Sequence, residues 1–183
     1  AAADVARSAA RTGLFSARLQ TGDADTNSAA LTKRFGVPNV GRIGLECSVR
    51  LVSGSPFFEL QLQYFDTVQQ HTFAQRWDPA LDVVQVQHSD ATWNTVISGG
   101  PATAQTVQWE TLKMVVDLST RRYERALMDD SAVDSSAFSA QSVANVSGRR
   151  LNVSVTLRTQ DAAARQAYIA DLILTQAEPA NAG

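Results

Sequence analysis

Glutamine and aromatic side chains recur at every second position along several neighbouring stretches of the sequence. An amide offers a donor and an acceptor to adjacent hydroxyl groups, and an aromatic ring covers the apolar face of a sugar. An uncharged set of this kind also suits a protein–protein contact, because interface cores are depleted of charge. We therefore predict one glycan- or protein-contact face formed by Gln61, Gln63, His71, Gln75, Trp77, Gln85, Gln87 and Trp93.

The middle stretch of this face has two interpretations. His71, Phe73, Gln75 and Trp77 alternate along the sequence and therefore share one side of an extended strand. If that side faces solvent, it completes the contact face. If it faces the core, the aromatic residues are buried and the glutamines of the neighbouring strands are only solvated.

The segment DADTN offers a candidate metal site. Asp23, Asp25 and Asn27 alternate, so their side-chain oxygens can converge on a hard cation such as calcium. The segment is not an EF-hand, because its sixth position is Ser28 and its twelfth is Arg34. The alternative is an Asx-rich turn capped by its own side chains. No other cofactor is expected.

The acidic residues and histidines do not have the spacing of hydrolytic enzymes. Glycoside hydrolysis uses two carboxyl groups that face each other across a cleft. The glutamates on the alternating stretches are instead isolated from one another: Glu46, Glu59, Glu110 and Glu124. His71 and His88 are too few for most zinc sites, and no Gly-x-Ser-x-Gly elbow occurs. We expect both histidines at the surface and no catalytic activity.

Length and composition favour one globular domain. The chain has 183 residues, of which 44% are hydrophobic. Its 16 basic and 18 acidic side chains give no electrostatic reason to expect a nucleic-acid partner. The single cysteine, Cys47, excludes an internal disulfide and is expected to be a small buried hydrophobic residue. No apolar run is long enough to span a membrane.

Period-two alternation of polar and apolar residues dominates the chain after residue 12. The segments 108–118 and 123–129 predict an antiparallel hairpin, in which Tyr123, Arg125 and Leu127 share one side of the second strand. About ten to twelve such strands, separated by turns, predict an all-β fold of two packed antiparallel sheets. Two sheets are needed because a single half-buried sheet leaves its apolar face in water.

Three segments, IGLECSVRL, WETLKMVVDLSTRRYERALM and AYIADLILT, resemble in order and spacing the concanavalin A-like lectin and laminin-G-like jelly-roll superfamily. In that superfamily a Trp or His precedes a strand of the type L-K-x-x-x-D, a Tyr-containing strand follows, and the domain closes on Y-x-x-D-x-x-L. The matching residues here are Trp109, Leu112, Lys113, Asp117, Tyr123, Tyr168, Asp171 and Leu174. The resemblance covers about residues 12–175 and implies a jelly-roll β-sandwich with one concave sheet.

The resemblance also implies a range of functions and one ligand set. Members bind glycans or proteins, hydrolyse polysaccharides, or serve as structural modules of viral particles and cell-surface proteins. Related jelly rolls hold a structural calcium between an early loop and an Asp of the last strand, which would add Asp171 to the candidate calcium ligands. Fold resemblance alone does not choose among these functions.

The domain organisation follows from these patterns. We predict a short N-terminal arm over 1–11, helical or extended, a jelly-roll domain over 12–176 and a C-terminal tail over 177–183. The segment 135–146 is expected to be a loop or a further strand. The first residues lack the apolar core of an export signal.

The expected function is non-catalytic. The uncharged face favours a structural or decorating subunit on the surface of a phage particle or cell-surface layer, with adhesive glycan contacts. The alternative is a stand-alone carbohydrate-binding module. The expected partners are protein subunits of an assembly, glycans or both, and a homo-oligomer on a virion or extracellular surface is favoured.

Overall fold

The computed structural model describes residues 2–6, 16–23, 27–37, 41–52, 54, 56–99, 108–159 and 161–179. These residues form fourteen strands and, within the described ranges, no helix. The strands make two seven-stranded sheets, and every strand pairing is antiparallel. The predicted all-β, two-sheet jelly-roll sandwich is confirmed.

The first sheet contains both ends of the described chain. Its spatial order is β1-β2-β14-β4-β9-β10-β11. The strands are β1 (Ala2–Ala6), β2 (Ser16–Gln20), β4 (Arg42–Leu51), β9 (Glu110–Asp117), β10 (Arg122–Met128), β11 (Ser131–Asp134) and β14 (Gln166–Gln176). The predicted hairpin is the β9–β10 pair.

The second sheet has the order β3-β13-β5-β6-β7-β8, and a short strand, β12, also pairs with β6. The strands are β3 (Ser28–Phe35), β5 (Phe57–Phe65), β6 (Gln69–Asp78), β7 (Val83–Gln87), β8 (Trp93–Ser98), β12 (Gln141–Ala144) and β13 (Arg150–Arg158). The segment 135–146 therefore contains a further strand, one of its two predicted alternatives.

The core lies between the two sheets and is built by alternate residues of the long strands. On β4 the inward residues are Ile43, Leu45, Cys47, Val49 and Leu51, all of them buried. Burying each large apolar side chain contributes roughly 1.5–3 kcal/mol, and this gain fixes which side of each strand faces inward. Burial also raises the pKa of the Cys47 thiol, and the nearby carboxylates add to the rise. Cys47 is thus a buried hydrophobic residue, as predicted.

A β-bulge changes the side-chain pattern of β10. The register against β9 shifts between Tyr123 and Arg125. Beyond the shift, Ala126 and Met128 face the core, while Arg125 and Leu127 do not. The prediction that Tyr123, Arg125 and Leu127 share one side is therefore wrong, because a bulge inserts one extra residue and reverses the alternation.

The N-terminal arm is extended where the structure describes it. β1 pairs with β2 from Ala2 opposite Gln20 to Ala6 opposite Ser16, so the helical alternative is wrong for these residues. Residues 7–11 lie outside the described ranges. At the other end β14 ends at Gln176. Among the described residues, no helix has the length and apolarity that crossing a membrane requires.

Candidate functional site

A groove of about 420 Å³ lies on the outer face of the second sheet, the face turned away from the core. Its volume is within the roughly 300–1,000 Å³ of small-molecule sites. β5 contributes Phe57, Glu59, Gln61 and Gln63 to the lining. These residues face outward because the intervening Phe58, Leu60 and Leu62 are fully buried in the core.

Arg76 on β6 forms one fixed wall of the groove. Its guanidinium lies over the Phe57 ring at 4.6 Å and over the Trp93 ring at 4.2 Å from the ring centroids. Its Nε donates a hydrogen bond of 2.7 Å to Oε1 of Gln85 on β7. Burial lowers the pKa of Arg76, and the charges of Asp78 and Glu59 oppose this effect. Two aromatic contacts and one hydrogen bond together hold the guanidinium in a single orientation.

Glu59 is a buried carboxyl group in the same groove. It lies directly opposite Arg76 on β6 and Thr156 on β13, and its residue is only 9% exposed. None of the described residues donates a hydrogen bond to its carboxyl group or forms an ion pair with it within 4.0 Å. Burial raises its pKa, and the charges of Arg158 and Arg76 oppose the rise. Such a carboxyl destabilises the fold and is typical of functional sites.

Four of the residues predicted for the contact face line this groove: Gln61, Gln63, Gln87 and Trp93. Gln85 lies on the same face, where it accepts from Arg76 and donates to Oγ1 of Thr95 at 3.3 Å. Further groove residues come from β6 and β12, among them Gln70, Thr72 and Gln141. The structure thus brings five of the predicted residues onto one face. Their role in binding stays a prediction.

The outward orientation predicted for His71, Gln75 and Trp77 is wrong. These residues are 0%, 0% and 1% exposed, because they pair in register with Tyr64, Leu60 and Phe58 on the core side of β5. Both ring nitrogens of His71 and the amide nitrogen of Gln75 find partners inside the protein, whereas Gln75 Oε1 and Trp77 Nε1 are buried without a hydrogen-bond partner among the described residues. His71 is bonded to Asp66 at 3.0 Å and Ser142 at 2.8 Å, and Gln75 Nε2 donates to the Leu127 carbonyl at 3.0 Å. The surface position predicted for His71 is wrong for the same reason.

The charged residues of the groove, Glu59, Arg76 and Arg158, were not predicted as site residues. A sequence signal for them existed. Glu59 has the same parity as Gln61 and Gln63, and burying Phe73 and Trp77 turns Arg76 outward. The interpretation in which Phe73 and Trp77 face the core therefore predicts that Arg76 lies on the outer face, where the groove is observed.

The candidate calcium ligands are described only in part. Asp23 is exposed and Asn27 is half-buried, whereas Asp25 lies outside the described residues. Asp171 lies at an irregularity of β14 with a φ of 53°. Within the part of the chain that the structure describes, no three His, Cys, Asp or Glu residues are grouped to hold a metal ion. The calcium site depends on Asp25 and stays a prediction.

Comparison with solved structures identifies the class of fold. No known protein-family profile matches the sequence, and no curated protein matches it. The structure is similar to an endo-β-1,4-glucuronan lyase from the fungus Trichoderma reesei, with 10% identity and a TM-score of 0.64 over 96% of this chain and 87% of that chain.

Two further similar structures belong to proteins named for carbohydrates. One contains carbohydrate-binding modules of the β-sandwich superfamily, with 12% identity and a TM-score of 0.51 over 96% of this chain and 53% of that chain. The other is a sialidase, with 8% identity and a TM-score of 0.54 over 96% of this chain and 17% of that chain. The protein has a jelly-roll β-sandwich fold of the concanavalin A-like type. At these identities the likeness concerns the fold, and its own residues must identify the site.

Proposed function

We propose that the protein binds carbohydrate in the groove on the outer face of its second sheet. The observation that carries the proposal is the combination of a half-buried indole, five groove glutamines and a buried carboxyl group without a protein partner. Polar groups in a pre-formed groove match a ligand rich in hydroxyl groups, and the indole of Trp93 suits the apolar face of a sugar ring. The carbohydrate-binding modules of similar fold support the same conclusion.

Each part of the groove has a role in this binding. Trp93 offers its indole ring to the apolar face of a sugar. The guanidinium of Arg76 lies against this ring and fixes the orientation of the indole. Gln61, Gln63 and Gln87 accept from and donate to sugar hydroxyls through their amides. Glu59 accepts hydrogen bonds from hydroxyl groups of the ligand, which supply the partners that the protein does not provide.

We propose binding without catalysis. Glu59 is the single carboxyl group among the described residues of the groove, whereas hydrolysis of a glycosidic bond uses two. The described lining also contains no His, Tyr, Lys or Cys, the other common general bases and acids. The assembly role expected from the sequence remains a prediction that rests on the sequence alone.

The test is a glycan array followed by calorimetry on the best ligand. Trp93→Ala is expected to weaken binding at least about tenfold, since stacking on an aromatic ring together with its burial contributes more than ~1.4 kcal/mol. Trp109→Ala is the matched control, because Trp109 is also half-buried but does not line the groove. Equal losses in the two variants, or an array without any ligand, would refute the proposal.

A further inference from the structure

The groove carries a net positive charge that its own contacts do not neutralise. Its described lining includes two arginines, Arg76 and Arg158, and one carboxyl group, that of Glu59. Neither arginine forms an ion pair within 4.0 Å with any described residue. Because these three groups do not pair with one another, each can form a hydrogen bond or an ion pair with a ligand.

Arg76 presents a pre-organised pair of donors to the groove. Gln85 accepts its Nε hydrogen, and the Phe57 and Trp93 rings both lie against the guanidinium. Among the described residues no acceptor is bonded to its two terminal nitrogens. A planar guanidinium held in this way binds a planar carboxylate through two parallel hydrogen bonds, with little further loss of side-chain entropy.

Arg158 adds a second cation two strands away. It is the last residue of β13, is exposed, and lies opposite Phe57 of β5. β5 separates it from Arg76 on β6, and Arg76 lies opposite Glu59, two positions along β5 from Phe57, so the two backbones are roughly 12 Å apart at the strand spacing and rise of a sheet. Two cations at this separation can bind two anionic groups of one extended ligand that lies along the groove.

Glu59 lies between the two arginines and limits what the ligand can be. Its carboxyl group faces the same groove and repels a ligand that is anionic along its whole length. A ligand that alternates anionic groups with hydroxyl groups satisfies all three residues, because hydroxyls donate to Glu59 while carboxylates accept from the arginines.

We propose that the saccharide bound in this groove is a uronate, a sugar chain that carries carboxylate groups. The inference deepens the proposed function and rests on it. Arg76 binds one carboxylate bidentately, Arg158 binds a carboxylate or screens the groove entrance, and Glu59 accepts from the hydroxyls between them. A carboxylate is favoured over a sulfate ester because the fork of Arg76 is planar and fixed.

The test compares each acidic sugar with its own uncharged form. The probes are oligouronates of several linkages, including oligogalacturonate and β-1,4-oligoglucuronate, each with its methyl ester, and a sulfated cello-oligosaccharide. Calorimetry at pH 7 and low salt is expected to show at least about tenfold tighter binding of one acid than of its ester, since charge-assisted hydrogen bonds are roughly twice as strong as neutral ones.

Substitutions in the groove assign the charge preference to particular residues. Arg158→Gln and Arg76→Lys are expected to lower the ratio of acid to ester affinity. Glu59→Gln is expected to weaken the binding of the ester and to raise the same ratio, because it removes a repulsive charge. Arg122→Gln, on the first sheet, is the matched control and is expected to leave the ratio unchanged.

The possible results separate this inference from the proposed function. Ester and acid binding equally, or an array that selects neutral sugars only, would refute the uronate while leaving carbohydrate binding intact. Tighter binding of the sulfated probe would refute the choice of carboxylate. Failure of every sugar to bind would refute the proposed function and the inference with it.

Discussion

At the scale of single residues, the buried carboxyl group of Glu59 links stability to the proposed binding groove. Its raised pKa means that the folded state holds the proton more tightly than the unfolded state. Stability is therefore greatest below the unfolded pKa of about 4.5 and falls as the pH rises towards the folded pKa. A group that destabilises the free protein and faces a groove is typical of a binding site.

The first prediction concerns this residue. Glu59→Gln is expected to raise the free energy of unfolding at pH 7.5 by about 1 kcal/mol or more, because an amide is less costly to bury than a charge. At pH 4 the difference should largely disappear. Urea titrations at both pH values measure it, with Glu124→Gln on the opposite sheet as the control. A variant less stable than the wild type at pH 7.5 would show that Glu59 is paired in the free protein.

A second prediction concerns Glu110, a buried carboxyl group beside Asp129. Burial, together with the hydrogen bond and the charge of Asp129, raises the pKa of Glu110 to about 8. Asp129 is held in place by the Thr111 amide, which donates to it at 2.8 Å. Stability is expected to fall as the pH rises from about 4.5 to about 8, because the folded state must release the proton of Glu110.

Glu110→Gln tests this dependence, since its amide can still donate to Asp129. The variant is expected to be more stable than the wild type at pH 8.5 by roughly 1–3 kcal/mol and nearly equal at pH 4.5. Thermal unfolding between pH 4.5 and 9 measures the difference. A wild-type midpoint that rises from pH 6 to 8.5, or a variant with an unchanged slope, would contradict the assignment.

At the scale of strands, Tyr123 on β10 joins the first sheet to the edge of β6 beneath the groove. Its hydroxyl accepts from the Ala74 amide at 2.8 Å and donates to the Gln87 carbonyl at 2.8 Å. β7 pairs with β6 from Gln75 onward and β12 pairs with it up to Thr72, so Ala74 has no strand neighbour on that edge. The buried hydroxyl therefore hydrogen-bonds the β6 backbone in the interval between its pairing with β12 and its pairing with β7.

The third prediction follows from this bridge. Tyr123→Phe is expected to lower the free energy of unfolding by about 1–3 kcal/mol, because it leaves buried backbone groups of β6 and β7 without a partner. Tyr168→Phe is the control, since its hydroxyl makes no hydrogen bond with the described residues. Equal denaturation midpoints for the two variants would show that the bridge contributes nothing.

The same strands show what the sequence alone can predict. The side-chain pattern of β4 and β5 was predictable because every second residue is apolar from Ile43 to Leu51 in β4 and from Phe58 to Tyr64 in β5. β6 was ambiguous because it buries His71 and Gln75, and their hydrogen-bond partners come from Asp66, Ser142 and Leu127 elsewhere in the chain. A pattern within one strand cannot reveal such partners, so the polar residues of β6 were assigned to the wrong face.

The bulge in β10 was unpredictable for a related reason. Nothing in the sequence between Tyr123 and Arg125 marks an extra residue, and the shift appears only in the pairing with β9. Pairing across strands also brings Glu59, Arg76 and Gln85 into one row, although they are far apart in the sequence. The groove is therefore a property of the sheet and not of any one motif.

At the scale of the whole molecule, the inner and outer faces of the sheets differ in composition. The inward faces supply a continuous apolar core, and the outer face of the second sheet is left free to carry polar and charged residues that do not help folding. Outward residues can then change while the fold is kept, which agrees with the low sequence identity between this protein and the solved structures of similar fold.

The fourth prediction uses this difference between the faces. A saccharide that binds the folded protein only should stabilise it by about 2.7 kcal/mol when its free concentration is 100 times the dissociation constant. Trp93→Ala is expected to lower the free energy of unfolding of the unliganded protein by only about 1 kcal/mol, because the indole is half-buried and its main loss is the contact with Arg76, and to lose the ligand-induced shift. Thermal unfolding with and without the ligand measures both effects in one experiment. A shift that persists in the Trp93 variant would place the sugar elsewhere on the molecule, since stabilisation follows binding wherever the site lies.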